Sequence, residues 1–203
     1  MSPLTYALLA QDAYAAIPQI GEEDSSARAI LEYTDDGVAF AFPGTNNLAC
    51  WLADLDCGIV RVDGLGVIHE GFWNAFSLIK DKLIAASKSC KPVATVCCGH
   101  SEGAALALLF AGQLCLEGIP PVAVYGFEPP RVTTDDTLAA LLKANGVQIY
   151  LTECGNDVVP LVPRVFYDWQ HPAVPARIGA ASFPFPNVDD HSISRVIQAL
   201  KGL

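Results

Sequence analysis

Positive charge is scarce in this chain, and so are the signals that send a protein to nucleic acid or into a bilayer. Lysine and arginine number 12 against 22 aspartates and glutamates, the net charge is −10, and the basic residues are scattered without a patch. A polyanion is therefore a poor partner, because binding one rests on clustered cations, and the average surface would be repelled by an anionic membrane. The most apolar stretch, Gly103–Leu116, contains Gln113 and falls short of the roughly 20 residues a spanning helix needs. It reads as a buried core helix. The first residues, Met1-Ser2-Pro3-Leu4-Thr5-Tyr6, carry neither a basic region nor an unbroken apolar run, so no secretory leader is expected in them. Metal-type cysteine pairs are missing too. The seven cysteines (Cys50, Cys57, Cys90, Cys97, Cys98, Cys115 and Cys154) are odd in number and irregular in spacing. Free, buried, small apolar side chains are the expectation, with Cys97 and Cys98 pointing to opposite faces of a strand. That in turn predicts a reducing, cytoplasmic compartment. Neither a repeat nor a linker divides the chain, so one domain spanning residues 1–203 is expected.

Apolar residues are plentiful: 52% of the chain is hydrophobic and 17% charged, the balance of a globular fold with a full core. Tyr6, Leu9, Ala13 and Ile17 predict a first helix behind Ser2-Pro3. Arg28–Thr34 and Val38–Phe42, joined by Asp35-Asp36-Gly37, predict a hairpin whose second strand is central in the sheet. Leu48, Trp51, Leu52 and Leu55 mark a short amphipathic helix, and His69-Glu70-Gly71-Phe72 opens a longer one with Phe72, Phe76, Ile79 and Leu83 on one stripe. Val122–Phe127, Val147–Thr152 and Arg164–Gln170 read as further strands, Thr137–Lys143 as a helix, and Pro172–Pro186 as a loop. A last helix follows Asp190 or Ser192 as its cap. Strands alternating with helices predict a largely parallel α/β sheet.

The chain is organised around residues 93–117. Val93–Cys98 is a buried-strand run, and from Ser101 the residues are mostly Ala and Leu, strong helix formers. Between them stands Gly99-His100-Ser101-Glu102-Gly103. A bare G-x-S-x-G often marks only a glycine-rich turn. Flanked by strand and helix, it reads as a nucleophile elbow, in which the serine stands on a sharp turn and the N–H of Glu102 faces a developing oxyanion. A serine hydroxyl needs a base to take its proton and a carboxylate to orient that base, in the order Ser, acid, His. Downstream lie His171 and His191. Asp157 ends a loop directly after a predicted strand, and His191 precedes the last helix. Each has an ordinary reading alone, as an Asx turn and a capping neighbour; the ordered set favours a triad. His100, adjacent to the serine, is placed to support the site rather than to act as base.

These residues resemble the class 3, fungal lipase-like family of α/β-hydrolases. Phe42-Pro43-Gly44-Thr45 looks like its oxyanion segment, followed by Trp51 and Asp54; His69-Glu70-Gly71-Phe72 is similar to its His-x-Gly-Phe box; Pro130-Arg131-Val132 and Gly155-Asn156-Asp157-Val158-Val159-Pro160 match its later segments. Asp190-His191 matches its terminal histidine, and His171 a second one upstream. The resemblance implies an α/β-hydrolase fold and a carboxylic-ester hydrolase (lipase or esterase) acting on small-molecule or lipid esters without metal or organic cofactor. It assigns Ser101 as nucleophile, Asp157 as acid, His191 as base, and Thr45 with Glu102 as oxyanion hole. Trp51, His100 and Glu128 are expected in the substrate pocket. The chain departs from the pattern at Pro43 for Arg, at Glu102 for an uncharged residue, and at Glu128 for Gly. Two carboxylates beside the nucleophile would disfavour anionic substrates unless one pairs with Arg131. A cutinase-like or polyester-cleaving hydrolase and a non-catalytic hydrolase-like binding protein are the alternatives. Asn46–Leu55, behind the oxyanion segment, is expected to be a fixed scaffold helix rather than a moving lid.

Overall fold

A seven-stranded sheet carries the molecule in a computed structural model that describes residues 2–45, 58–164 and 167–203. Its strands are β1 (Ile20–Gly21), β2 (Arg28–Thr34), β3 (Gly37–Phe42), β6 (Thr95–His100), β7 (Ala123–Phe127), β8 (Gln148–Cys154) and β9 (Ala176–Ile178), side by side in that order. The pairs β1–β2 and β2–β3 are antiparallel, and every pair from β3 to β9 is parallel. A separate hairpin joins β4 (Ile59–Val62) to β5 (Gly66–His69). The helices are α1 (Pro3–Asp12), α2 (Glu70–Ser77), α3 (Lys80–Ser89), α4 (Glu102–Leu116), α5 (Thr137–Ala144) and α6 (Ile193–Lys201), with a 3-10 turn at Val159–Leu161. None of the described helices is long and apolar enough to cross a membrane.

Alternation along the strands divides the core. Val38, Phe40, Phe42, Cys97 and Val124 face a cluster with Phe72, Phe76, Leu83, Phe110 and Leu138 of α2 to α5. Ala39, Ala41, Val96, Cys98 and Tyr125 face the other side, against Tyr6 and Ala10 of α1 and Val196 and Ile197 of α6. Cys97 and Cys98 thus serve opposite faces, as the pleat requires. Helix α4 is buried along nearly its whole length, which is why its sequence lacks a polar stripe. Phe110 from its middle meets Phe40 and Phe42 edge-on at 5.0 and 5.9 Å between ring centroids.

Several expectations need correction. Helix α1 stops at Asp12 and leaves Ile17 exposed. The long helix expected from His69 is two helices, broken at Leu78 and Ile79. Its opening box works as a cap, the His69 imidazole accepting a hydrogen bond from the N–H of Phe72 at 3.4 Å. The hairpin β4–β5 and strand β9, inside the expected Pro-rich loop, carried too few residues to show a period. Arg164 and residues 167–170 form no strand; Gln170 makes a single bridge to Thr133. Ser192 is the N-cap position of α6 without a side-chain cap bond, and Asp190 has other work. The expected Asn46–Leu55 helix, Trp51, Asp54, Cys50 and Cys57 lie outside the described residues.

Candidate active site

Strand register brings the predicted groups to one edge. Phe42 pairs with Gly99, His100 with Phe127, and Phe127 with Thr152. The segments that follow, Pro43-Gly44-Thr45, Ser101, Glu128 and Gly155-Asn156-Asp157, therefore leave the sheet together at its carboxyl end. Ser101 sits at the N-cap of α4 with φ 58° and ψ −129°, a conformation that costs a non-glycine residue roughly 1–3 kcal/mol and that turns the chain from strand to helix. Its N–H is held by the Phe127 carbonyl at 2.9 Å. Gly103 lets α4 start close against β3, since a Cβ there would strike the carbonyl oxygens of Phe42 and Pro43. A Cβ on Gly44 would fall 2.8 Å from the Cβ of Ser101, so the segment holding Thr45 lies directly against the elbow. Glu102 is the first residue of α4, where helical N–H groups lack intrahelical acceptors. Thr45 follows the glycine that lies against Ser101, and Glu102 follows Ser101 itself.

Nδ1 of His191 stands 2.7 Å from Oδ2 of Asp157. Both side chains are buried, as is Ser101. Among the described residues, Oγ of Ser101 and Nε2 of His191 have no hydrogen-bond partner. The His191 ring stacks on that of His100 at 4.7 Å, 30° between planes, which brings it beside the serine's neighbour. Asp190, adjacent to His191, accepts from the N–H groups of Asn156 and Ser182 at 2.7 and 2.9 Å and pairs with Arg195 at 2.7 Å. Burial would raise its carboxyl; the Ser182, Asn156 and Asn187 hydrogen bonds outweigh that and hold it well below the ordinary carboxylate range. His171 is engaged elsewhere, its Nε2 donating to the Pro160 carbonyl at 2.9 Å.

His100 and Glu128 are buried beside His191, with Nε2 of His100 at 2.8 Å from Oε2 of Glu128 and Nδ1 at 2.7 Å from the Tyr14 hydroxyl. Burial, then the neighbouring His191, pushes His100 well below the usual imidazole range. Burial, then the Asp157 charge, pushes Glu128 well above the carboxylate range. Glu128 keeps a left-handed backbone, φ 51°, uncommon outside glycine. Glu102 is also buried and accepts from the Ser26 hydroxyl at 3.2 Å. Arg131 reaches the Pro163 carbonyl at 3.4 Å, so His100 and Ser26, rather than Arg131, face the two carboxyls. Sequence reasoning missed Tyr14, Ser26 and Asn187; each lies in a loop, where no periodicity singles out a residue. His100, Glu128 and His191 place three possible metal-ligating atoms within 4.8 Å of one another. The 2.8 Å contact of His100 with Glu128 is a hydrogen-bond length, and an ion on Nδ1 of His191 would displace Asp157, 2.7 Å away, so a proton network accounts for the cluster. Among the described residues, two surface clefts lie away from the serine, one beside α5 and β8 and one along Trp169–Pro175.

The family model for class 3 lipases matches residues 39–167, which include Ser101, Glu128 and Asp157. The chain belongs to the class 3 lipase family. Two curated relatives in this family, secreted mono- and diacylglycerol lipase A of Penicillium cyclopium and of Penicillium camembertii, are each 32% identical over 158 residues, 73% of this chain and 50% of theirs. The chain thus spans about half the length of the curated relatives it matches. The Rhizomucor miehei lipase in its propeptide complex shares the fold with a TM-score of 0.71 at 21% identity, over 96% of this chain and 75% of that one. A triacylglycerol lipase whose catalytic centre is described as a serine protease triad gives 0.74 at 21% identity, over 93% and 91% of the two chains. The mostly parallel sheet flanked by helices is therefore that of the lipase α/β-hydrolases.

Proposed function

We propose that this class 3 lipase homologue hydrolyses carboxylic esters of the acylglycerol class through an acyl-enzyme. One observation carries the reading: the Asp157–His191 contact at 2.7 Å on the same sheet edge as a buried serine in a strained elbow. Ser101 attacks the ester carbonyl while Nε2 of His191 takes its proton. Asp157 accepts Nδ1–H, fixing the tautomer and balancing the imidazolium. The N–H of Glu102, with Thr45, faces the oxyanion of the tetrahedral intermediate. Collapse breaks the ester C–O bond, and His191 returns the proton to the departing alcohol. Water, deprotonated by the same nitrogen, then releases the carboxylic acid and restores Ser101. The open contact between Ser101 and His191 is ordinary before substrate arrives.

The names of the Penicillium relatives support an acylglycerol substrate. Because Glu102 and Glu128 are both engaged within the protein, neither opposes an anionic substrate from an open pocket wall. A chain-length series of model esters alongside mono- and diacylglycerols, with Ser101→Ala as control, tests the reading. Wild type should turn over these esters and be stoichiometrically labelled by a serine-directed phosphonate, and Ser101→Ala should lose both properties. Label without turnover on any acylglycerol, but with cleavage of polyesters, would move the substrate to the cutinase-like class. Absence of both would make the chain a binding protein.

A further inference from the structure

We propose that Glu128 is a positioning residue and a reserve acid for the His191 imidazole: anchored by His100, its carboxyl stands within reach of the nitrogen that Asp157 engages. The inference rests on the triad reading above. Oε2 of Glu128 lies 2.8 Å from Nε2 of His100 and 3.6 Å from Nδ1 of His191. Oδ2 of Asp157 lies 2.7 Å from that same Nδ1. Two carboxyls, from the ends of the neighbouring strands β7 and β8, thus converge on one ring nitrogen, and a shift of under about 1 Å would bring the second into hydrogen-bond range. Both are fully buried, so water does not compete for the position. The Glu128 carboxyl is also held in place. The main-chain N–H of Glu128 donates to the Thr152 carbonyl at 2.6 Å, and His100, braced by Tyr14 on its other nitrogen, holds the same Oε2 that faces Nδ1 of His191.

The groups facing Glu128 explain why it is held in reserve. Asp157 and Asp190 oppose its ionisation, whereas Arg195 and the Ser192 N–H favour it; His100, His191 and Tyr14 complete the surround. Two buried carboxylates about one neutral imidazole repel, so one keeps its proton, and burial beside Asp157 puts that proton on Glu128. Removing Asp157 takes away the opposing charge and opens the space towards Nδ1. Glu128 can then ionise and accept Nδ1–H in place of the lost acid.

The test is a cycle of Asp157→Ala, Glu128→Gln and the double variant, read as kcat and KM against pH on a soluble ester. Loss of the acid alone ordinarily costs about 10⁴-fold in kcat. Here Asp157→Ala should lose only about 10²-fold, and adding Glu128→Gln should take the loss to the full 10⁴. Glu128→Gln alone should lower kcat several-fold with KM unchanged. The acid limb of kcat should differ between Asp157→Ala and the double variant, because only the former carries a carboxyl that must ionise to hold the imidazole; a merely structural Glu128 would give both the same limb. Equal rates for Asp157→Ala and the double variant, or a shared limb, would overturn the proposal. Should the double variant not fold, the rate of Asp157→Ala decides alone, a full loss of about 10⁴-fold overturning the reserve role. Ser101→Ala separates the two levels. Full activity in that variant removes the triad reading itself, whereas its loss, with no cycle between positions 128 and 157, removes only the reserve role.

Discussion

Asn187 binds the loop of Asp157 to the loop of His191. Its N–H donates to the Asn156 carbonyl at 3.0 Å, its carbonyl accepts from the N–H of Val158 at 3.0 Å, and its side-chain oxygen accepts from the Asp190 N–H at 2.8 Å. Asp157 and His191, the acid and base of the proposed triad and 34 positions apart in sequence, are thus set by one hydrogen-bonded unit.

His191→Ala and Asp157→Asn should each lower kcat by about 10³–10⁴-fold with the fold retained, the amide of Asn holding the imidazole in the wrong tautomer. His171→Ala and Asp168→Asn should stay within a few-fold of wild type. Steady-state kinetics on one soluble ester checks all four, and a crippled His171→Ala would reverse the choice of base.

Asp190→Ala should destabilise the protein by about 2 kcal/mol, because the N–H groups of Asn156 and Ser182 lose a buried acceptor. The carboxyl titrates lower in the folded chain than in the unfolded one, so its contribution is complete at neutral pH. It is lost as pH falls from the ordinary carboxylate range towards the lowered value. Melting curves of wild type and variant should therefore converge at strongly acid pH and separate above it.

Thiol titration of the unreduced, denatured protein should find at least Cys90, Cys97, Cys98, Cys115 and Cys154, which are free in the fold. In the native protein Cys90, only half-buried, should react first. Burial pushes Cys97 and Cys98 far above the thiol range, and they should react only on unfolding. A single reactive group in the denatured chain would contradict this reading and the reducing compartment expected with it.

Gly103→Ala should lower both melting temperature and kcat, since the added methyl meets backbone at Phe42 and Pro43 rather than a movable side chain. Unchanged activity with normal melting would show that the elbow does not need that contact.

The elbow, the hairpin β2–β3 and the helix α4 were legible because each carries a long run of one pattern. Ser101, Asp157 and His191 were legible as an order along the chain, and the fold brings Asp157 and His191 of that order into contact. The short elements escaped: β9 has three residues and β4 four, too few for a period. The partners of His100 escaped for a different reason. Tyr14, just after α1, and Glu128, just after β7, are single residues that reach His100 because α1 and β7 both pack against β6, and no spacing records such a meeting. Glu128 was visible as a departure from a family pattern, but its contact with His100 depended on tertiary packing.

The sheet ends at β9, a three-residue edge strand, and the last nine-residue helix α6 packs beside it. His191 lies between these two, whereas Ser101 projects from the centre. Edge and terminal elements open at lower free energy than a buried core. On warming, ester turnover should therefore fail before the sheet melts, and amide exchange should run faster in residues 176–201 than in β6 and α4. The working temperature of the protein is then set by its last thirty or so residues, and its melting temperature by its middle.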